Sequence, residues 1–240
     1  MKKGKAALIG WIVGATLWGA SVATASEDVV IVYDASASMW GQIEGTAKMQ
    51  IARDVMADLV EDWNSDTQLG LVAYGHRTEG DCSDIETLIA PGRLDKVAFI
   101  DHVNNIRPVG KTPLTAAVQH AAELLSYRDT PATVVLISDG VETCNADPCA
   151  LSTELARQGL RFKAHVVGFD LDSEGQAELA CIAQNTGGIF VPASNAGELT
   201  EALKQVQAAM TIPDEPALEA EPTSLNVTVR APQEVTTGAV

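Results

Sequence analysis

Apolar residues along this chain fall into two kinds of run that take turns. Val29–Tyr33 is five apolar or aromatic positions without a polar break, and Ala132–Ile137 (ATVVLI) is a second buried run. Runs of this kind suit strands covered on both faces, as in the middle of a parallel sheet. Between them the spacing changes to threes and fours. Ala52, Val55, Met56, Leu59, Val60 and Trp63 predict an amphipathic helix over 46–63, ended by Asn64-Ser65-Asp66. TQLGLVAYG is a further strand, with Gly70 and Gly75 as close-approach or turn positions. ETLIA follows after so short a loop that it must pair antiparallel.

The second half keeps the alternation. Val97, Ile100, Val103 and Ile106 share one face of a helix over 94–106, and 108–111 is loop. Pro113 stands in the first turn of a helix carrying Leu114, Ala117, Val118, Ala121 and Leu125, with Thr112 as its N-cap or the neighbour of it. Asp147-Pro148 reads as N-cap and first residue of a helix that stops at Gly159. A strand over 163–169 comes next, then a helix opened by a Ser173/Gln176 capping box and stopped at Thr186-Gly187-Gly188. A strand over 189–191 and a last helix, opened by Asn195 and Glu198 and carrying Leu199, Leu203, Val206 and Met210, complete the pattern. Strand–helix alternation of this kind predicts an α/β, doubly wound sheet with helices on both faces.

The candidate chemistry lies where the first strand ends. Asp34, Ser36 and Ser38 follow Tyr33 at every second position, and in open α/β sheets ligands bind at the carboxyl ends of strands. One carboxylate and two hydroxyls are oxygen donors of the sort a hard cation prefers. Asp34-x-Ser36-x-Ser38, Thr112 in GKTPLTAA and Asp139 in TVVLISDG together resemble the metal-ion-dependent adhesion site (MIDAS) of von Willebrand factor A (vWA) domains. The resemblance spans residues 28–210. It implies a mostly parallel six-stranded sheet of order 3-2-1-4-5-6, with the third strand antiparallel. It also implies that Ser36 and Ser38 bind the ion directly, Thr112 directly or through water, and Asp34 and Asp139 partly through waters. Mg2+ is the expected ion, with Mn2+ and Ca2+ as alternatives, and an open position would take an Asp or Glu of a protein partner. His76, Arg77 and Lys111 are expected on the rim of that site.

Composition narrows the setting. The formal charge of −16 argues against nucleic acid and against unaided binding to anionic lipid. MKKGK, the apolar stretch to Ser21 and Ala23-Thr24-Ala25 read as a signal peptide over 1–25, so the mature chain is expected in the periplasm or secreted, without stable membrane insertion. No Cys near the cleavage point suggests a lipoprotein. Four cysteines, Cys82, Cys144, Cys149 and Cys181, fit disulfides in such a compartment. With the family's strand order, Cys82 and Cys144 flank the first strand, so Cys82–Cys144 and Cys149–Cys181 are the expected pairs, with Cys144–Cys149 as the local alternative. PDEPALEAEPT reads as an acidic, Pro-rich linker over 211–224, and LNVTVRAP as the start of a β-rich, Ig-like module over 225–240.

Three functions compete. A binding module, not an enzyme, accounts for the whole five-residue set. A non-catalytic subunit of an exported assembly, binding without metal, is the alternative. A metal-dependent hydrolase is the third, but Gly-x-Ser-x-Gly is absent and Ser36 stands where a phosphatase would want a second carboxylate.

Overall fold

The structure, a computed structural model, describes residues 28–63 and 67–211. The signal peptide, the linker beyond its first residue, the β-rich segment and Asn64-Ser65-Asp66 lie outside the described residues.

The first strand, β1 (Asp28–Asp34), is central because its side chains are apolar on both faces. A 3-10 turn (Ala37–Trp40) and two short strands, β2 (Gln42–Ile43) and β3 (Thr46–Ala47), lead into helix α1 (Lys48–Asp62). Then come β4 (Gln68–Tyr74), β5 (Ile85–Ile89), α2 (Lys96–Asn105), α3 (Leu114–Leu124) and β6 (Ala132–Ser138). The chain continues through α4 (Pro148–Gln158), β7 (Phe162–Phe169), α5 (Ser173–Thr186), β8 (Phe190–Ala193) and α6 (Ala196–Thr211). The six-stranded sheet has the order β5-β4-β1-β6-β7-β8, which is the expected 3-2-1-4-5-6. All neighbours are parallel except β4 and β5.

Alternation along β1 builds two cores. Val29, Ile31 and Tyr33 pack with residues of α1, α2 and α6, whereas Val30 and Val32 pack with α3, α4 and α5. Each fully buried Val or Ile contributes about 1.5–3 kcal/mol by leaving water. The sheet is thereby held from both sides, and its carboxyl edge is a rigid base for loops.

Two local expectations are corrected. The first helix begins at Lys48, not Thr46, because Glu44 (φ 51) and Gly45 (φ 83) are both left-handed and turn the chain through a hairpin in which Ile43 pairs with Thr46. The cap of α5 is Asp172, whose carboxylate accepts from Gly175 N–H at 2.8 Å. Gln176, expected in a capping box with Ser173, instead donates to the Leu171 carbonyl. The helix after Thr112 begins at Leu114 with Pro113 directly before it, so Thr112 is the neighbour of the cap. Asp147 caps α4 through Ala150 N–H at 2.9 Å, with Pro148 as first helical residue.

Candidate metal centre

Three segments meet above the carboxyl ends of β1 and β6. Asp34 ends β1 fully buried, and its Oδ1 accepts from Ser36 N–H at 2.8 Å and Ser36 Oγ at 2.6 Å. Its Oδ2 accepts from Ser138 Oγ at 2.6 Å and from Asp139 N–H at 3.3 Å. With the Ser138 proton given to Asp34, the Tyr74 hydroxyl 3.0 Å away is left to donate to Ser138. Burial, then the charge of Asp34, drive the Tyr74 phenol far above its ordinary pKa, so it stays a neutral donor.

Ser38 Oγ donates to Asp139 Oδ1 at 2.6 Å and lies 2.8 Å from Ser36 Oγ. Each hydroxyl has one proton. When Ser36 gives its proton to Asp34 and Ser38 gives its own to Asp139, the 2.8 Å contact brings two lone pairs face to face. A cation relieves that conflict. Adjacent ligands of an octahedral ion at about 2.1 Å are about 3 Å apart, so the spacing fits.

Thr112 is delivered by the loop before α3. Its N–H donates to Thr143 Oγ1 at 2.8 Å, and Thr143 N–H returns a bond to its carbonyl at 3.1 Å. Glu142 accepts from Thr115 N–H at 2.9 Å and so ties the first turn of α3 to the Asp139 loop. Gly140 lies beside both hydroxyls: a Cβ there would stand 3.6 Å from Ser38 Oγ and 3.8 Å from Thr112 Oγ1, in ordinary contact with each. Gly75 (φ 68) is required, since a Cβ would come within 2.4 Å of the Lys111 carbonyl and 3.2 Å of the Ser36 backbone.

Charge at the centre is strongly negative. Burial first, then the charge of Asp34, push Asp139 up to about 6, against the opposing pull of Ser38 and Lys48. Lys48 Nζ lies 3.2 Å from Asp139 Oδ2 and 2.9 Å from Asp170 Oδ2. Asp139 Oδ2 is buried and, the ion pair apart, makes no hydrogen bond of good geometry. Burial alone would depress the Lys48 ammonium, but its hydrogen bond to Asp170 and the charge of Asp139 hold its pKa above the ordinary lysine value. Among the described residues no group of three or more His, Cys, Asp or Glu is set for a metal. The candidate donors are instead hydroxyls and carboxylates, which fit a hard divalent ion.

The rim differs from expectation in part. His76 and Arg77 follow Gly75 but turn to β5 and the loop before it. His76 Nε2 is 2.8 Å from Glu86, and Arg77 Nε donates to Asp84 at 2.6 Å. Lys111 is exposed. Sequence reasoning passed over Trp40, which is 56 % exposed while its Nε1 donates to the Pro108 carbonyl at 2.8 Å. It also missed Lys48, Tyr74 and Ser138, although Ser138 and Gly140 flank Asp139 directly.

Disulfides brace the surrounding loops. Cys82 is bonded to Cys144, five residues after Asp139, and Cys149 to Cys181, joining α4 to α5.

The chain belongs to the von Willebrand factor type A domain family, whose model matches residues 28–206. It is 28% identical over 187 residues to the uncharacterized protein YwmD of Bacillus subtilis (strain 168), covering 74% of this chain and 84% of that one. In fold it is similar to a von Willebrand factor type A structure from Catenulispora acidiphila (TM-score 0.62, 22% identity, 78% of this chain and 43% of that one). It is similar also to proximal thread matrix protein 1 of the mussel byssus, solved with a zinc-occupied MIDAS motif (TM-score 0.58, 20% identity, 74% of this chain and 44% of that one). The chain thus spans less than half the length of either solved protein.

Proposed function

We propose that this domain holds a divalent cation with Asp34, Ser36, Ser38, Thr112 and Asp139 and uses a remaining coordination position to engage an Asp or Glu of a protein partner. The observation that carries this reading is the 2.8 Å contact between Ser36 and Ser38 hydroxyls whose protons are committed to carboxylates. Mg2+ is the ion we assign, with Mn2+ and Ca2+ as alternatives. The zinc-occupied motif of the mussel protein supports a divalent ion without choosing the metal. When bound, the ion supplies a Lewis-acidic position at which a partner carboxylate replaces water.

The chain's own residues supply the rest. Asp34 orients Ser36, Asp139 orients Ser38, and exposed Lys111 and Trp40 offer charge and apolar surface to the partner. The two carboxylates are partnered by hydroxyls, backbone N–H and Lys48, and we read the site as one of recognition rather than turnover. We read the protein as a binding module acting in the periplasm or outside the cell, in keeping with two disulfides.

Affinity capture from an exported protein fraction tests this. Wild type in Mg2+ is expected to retain a partner that is lost in EDTA and lost with Asp34→Ala. Capture that survives both would favour a metal-independent subunit of an exported assembly.

A further inference from the structure

Lys48 is the feature that the metal reading does not use. It is the first residue of α1, delivered by the β2–β3 hairpin, and its N–H donates to the Gly41 carbonyl at 2.8 Å. Gly41 gives its side chain passage, since a Cβ at 41 would lie 3.2 Å from Lys48 Cε. The ammonium is thereby threaded under the Ser38 loop, its side chain only 11% exposed, between Asp139 and Asp170. It touches the oxygen of Asp139 that Ser38 does not.

We infer that Lys48 is a built-in counter-cation of this centre, stabilising the metal-free domain and holding its divalent affinity down. The inference rests on the metal reading above. Without an ion, Asp34 and Asp139 bring two buried negative charges together, and Asp170 adds a third beyond Lys48. One ammonium offsets part of that repulsion. A divalent ion held by Asp139 then shares a carboxylate with this ammonium, and the repulsion between two cations so close is poorly screened in a buried site. Lys48 acts through Asp139 and is a positioning residue, and it also ties the Asp139 loop to the end of β7 through Asp170.

Calorimetric titration with Mn2+, and melting in EDTA and in saturating Mn2+, test this on wild type, Lys48→Met, Lys48→Arg and Asp170→Asn. Lys48→Met is expected to melt below wild type in EDTA, yet to bind Mn2+ about tenfold tighter or more and to gain a larger rise in Tm from the metal. Lys48→Arg keeps the charge and should stay within about threefold of wild type. Asp170→Asn, at a half-exposed position that tolerates the change, leaves Lys48 to Asp139 alone and should weaken Mn2+ binding. It carries the test if Lys48→Met fails to fold. Equal or weaker Mn2+ binding by Lys48→Met, or a loss of Tm that is the same with and without metal, overturns the inference and leaves Lys48 a structural ion pair. For Asp170→Asn, unchanged or tighter binding does the same. A folded wild type that binds no Mn2+ at all rejects the metal reading and this inference with it.

Discussion

Acid should destabilise this domain through His165. The imidazole sits on β7 at 3% exposure, its Nδ1 accepting from Ile189 N–H at 3.2 Å and its Nε2 buried without a partner. Protonation would place a second donor against Ile189 N–H and a charge in an apolar setting. Burial, then the nearby charge of Lys163, lower the pKa from 6.5 to about 4. The folded state therefore binds fewer protons than the unfolded state between those values, so stability is complete above pH 6.5 and is lost as pH falls toward 4. At 1.36 kcal/mol per pKa unit, the loss is about 3 kcal/mol, a large share of a domain stability of about 5–15 kcal/mol. Asp139 is shifted the other way in the same window, so the difference between two proteins is the clean observable. Urea unfolding in EDTA from pH 7 to pH 4 should show wild type losing about 3 kcal/mol more than His165→Asn, in which an amide oxygen accepts from Ile189 N–H. Parallel curves for the two proteins would refute the reasoning.

The Cys82–Cys144 bond closes a separation of 62 residues, for which chain entropy gives about 4 kcal/mol. Denaturant unfolding of Cys82→Ser/Cys144→Ser should show a loss of that order, together with weaker ion binding as the Asp139 loop loosens; a loss under about 1 kcal/mol would count against it. Gly75→Ala should destabilise by about 2 kcal/mol or more, because φ is positive and the Cβ meets the Lys111 carbonyl at 2.4 Å. Thermal unfolding reads this, and an unchanged Tm would mean that the loops around Ser36 give way more readily than the packing implies.

Much of the fold was legible because β1 and β6 are apolar on both faces, a property that only the middle of a covered sheet requires. The short link between β4 and β5 likewise dictated their antiparallel pairing. The five candidate donors stand out in the sequence because each sits at or just beyond the end of an apolar strand, or just before a helix. What escaped were relations between residues distant in the chain. Lys48 resembles any charged first-turn residue until the hairpin and β7 bring it against Asp139 and Asp170. His76 and Arg77 look like loop charges open to a partner until Asp84 and Glu86 are seen to claim them. The start of α1 was misplaced because the apolar spacing does not register a turn made by two left-handed residues. The cap of α5 was displaced by one residue because Asp172 and Ser173 are both competent caps and only backbone geometry chooses between them.

Ion binding itself is the direct test of the account. Isothermal titration of EDTA-stripped, refolded-competent domain with Mg2+ should show one saturable site in wild type and none in an Asp34→Ala variant whose circular dichroism still reports the α/β fold. Absence of binding by the folded wild type, or equal binding by Asp34→Ala, would contradict it.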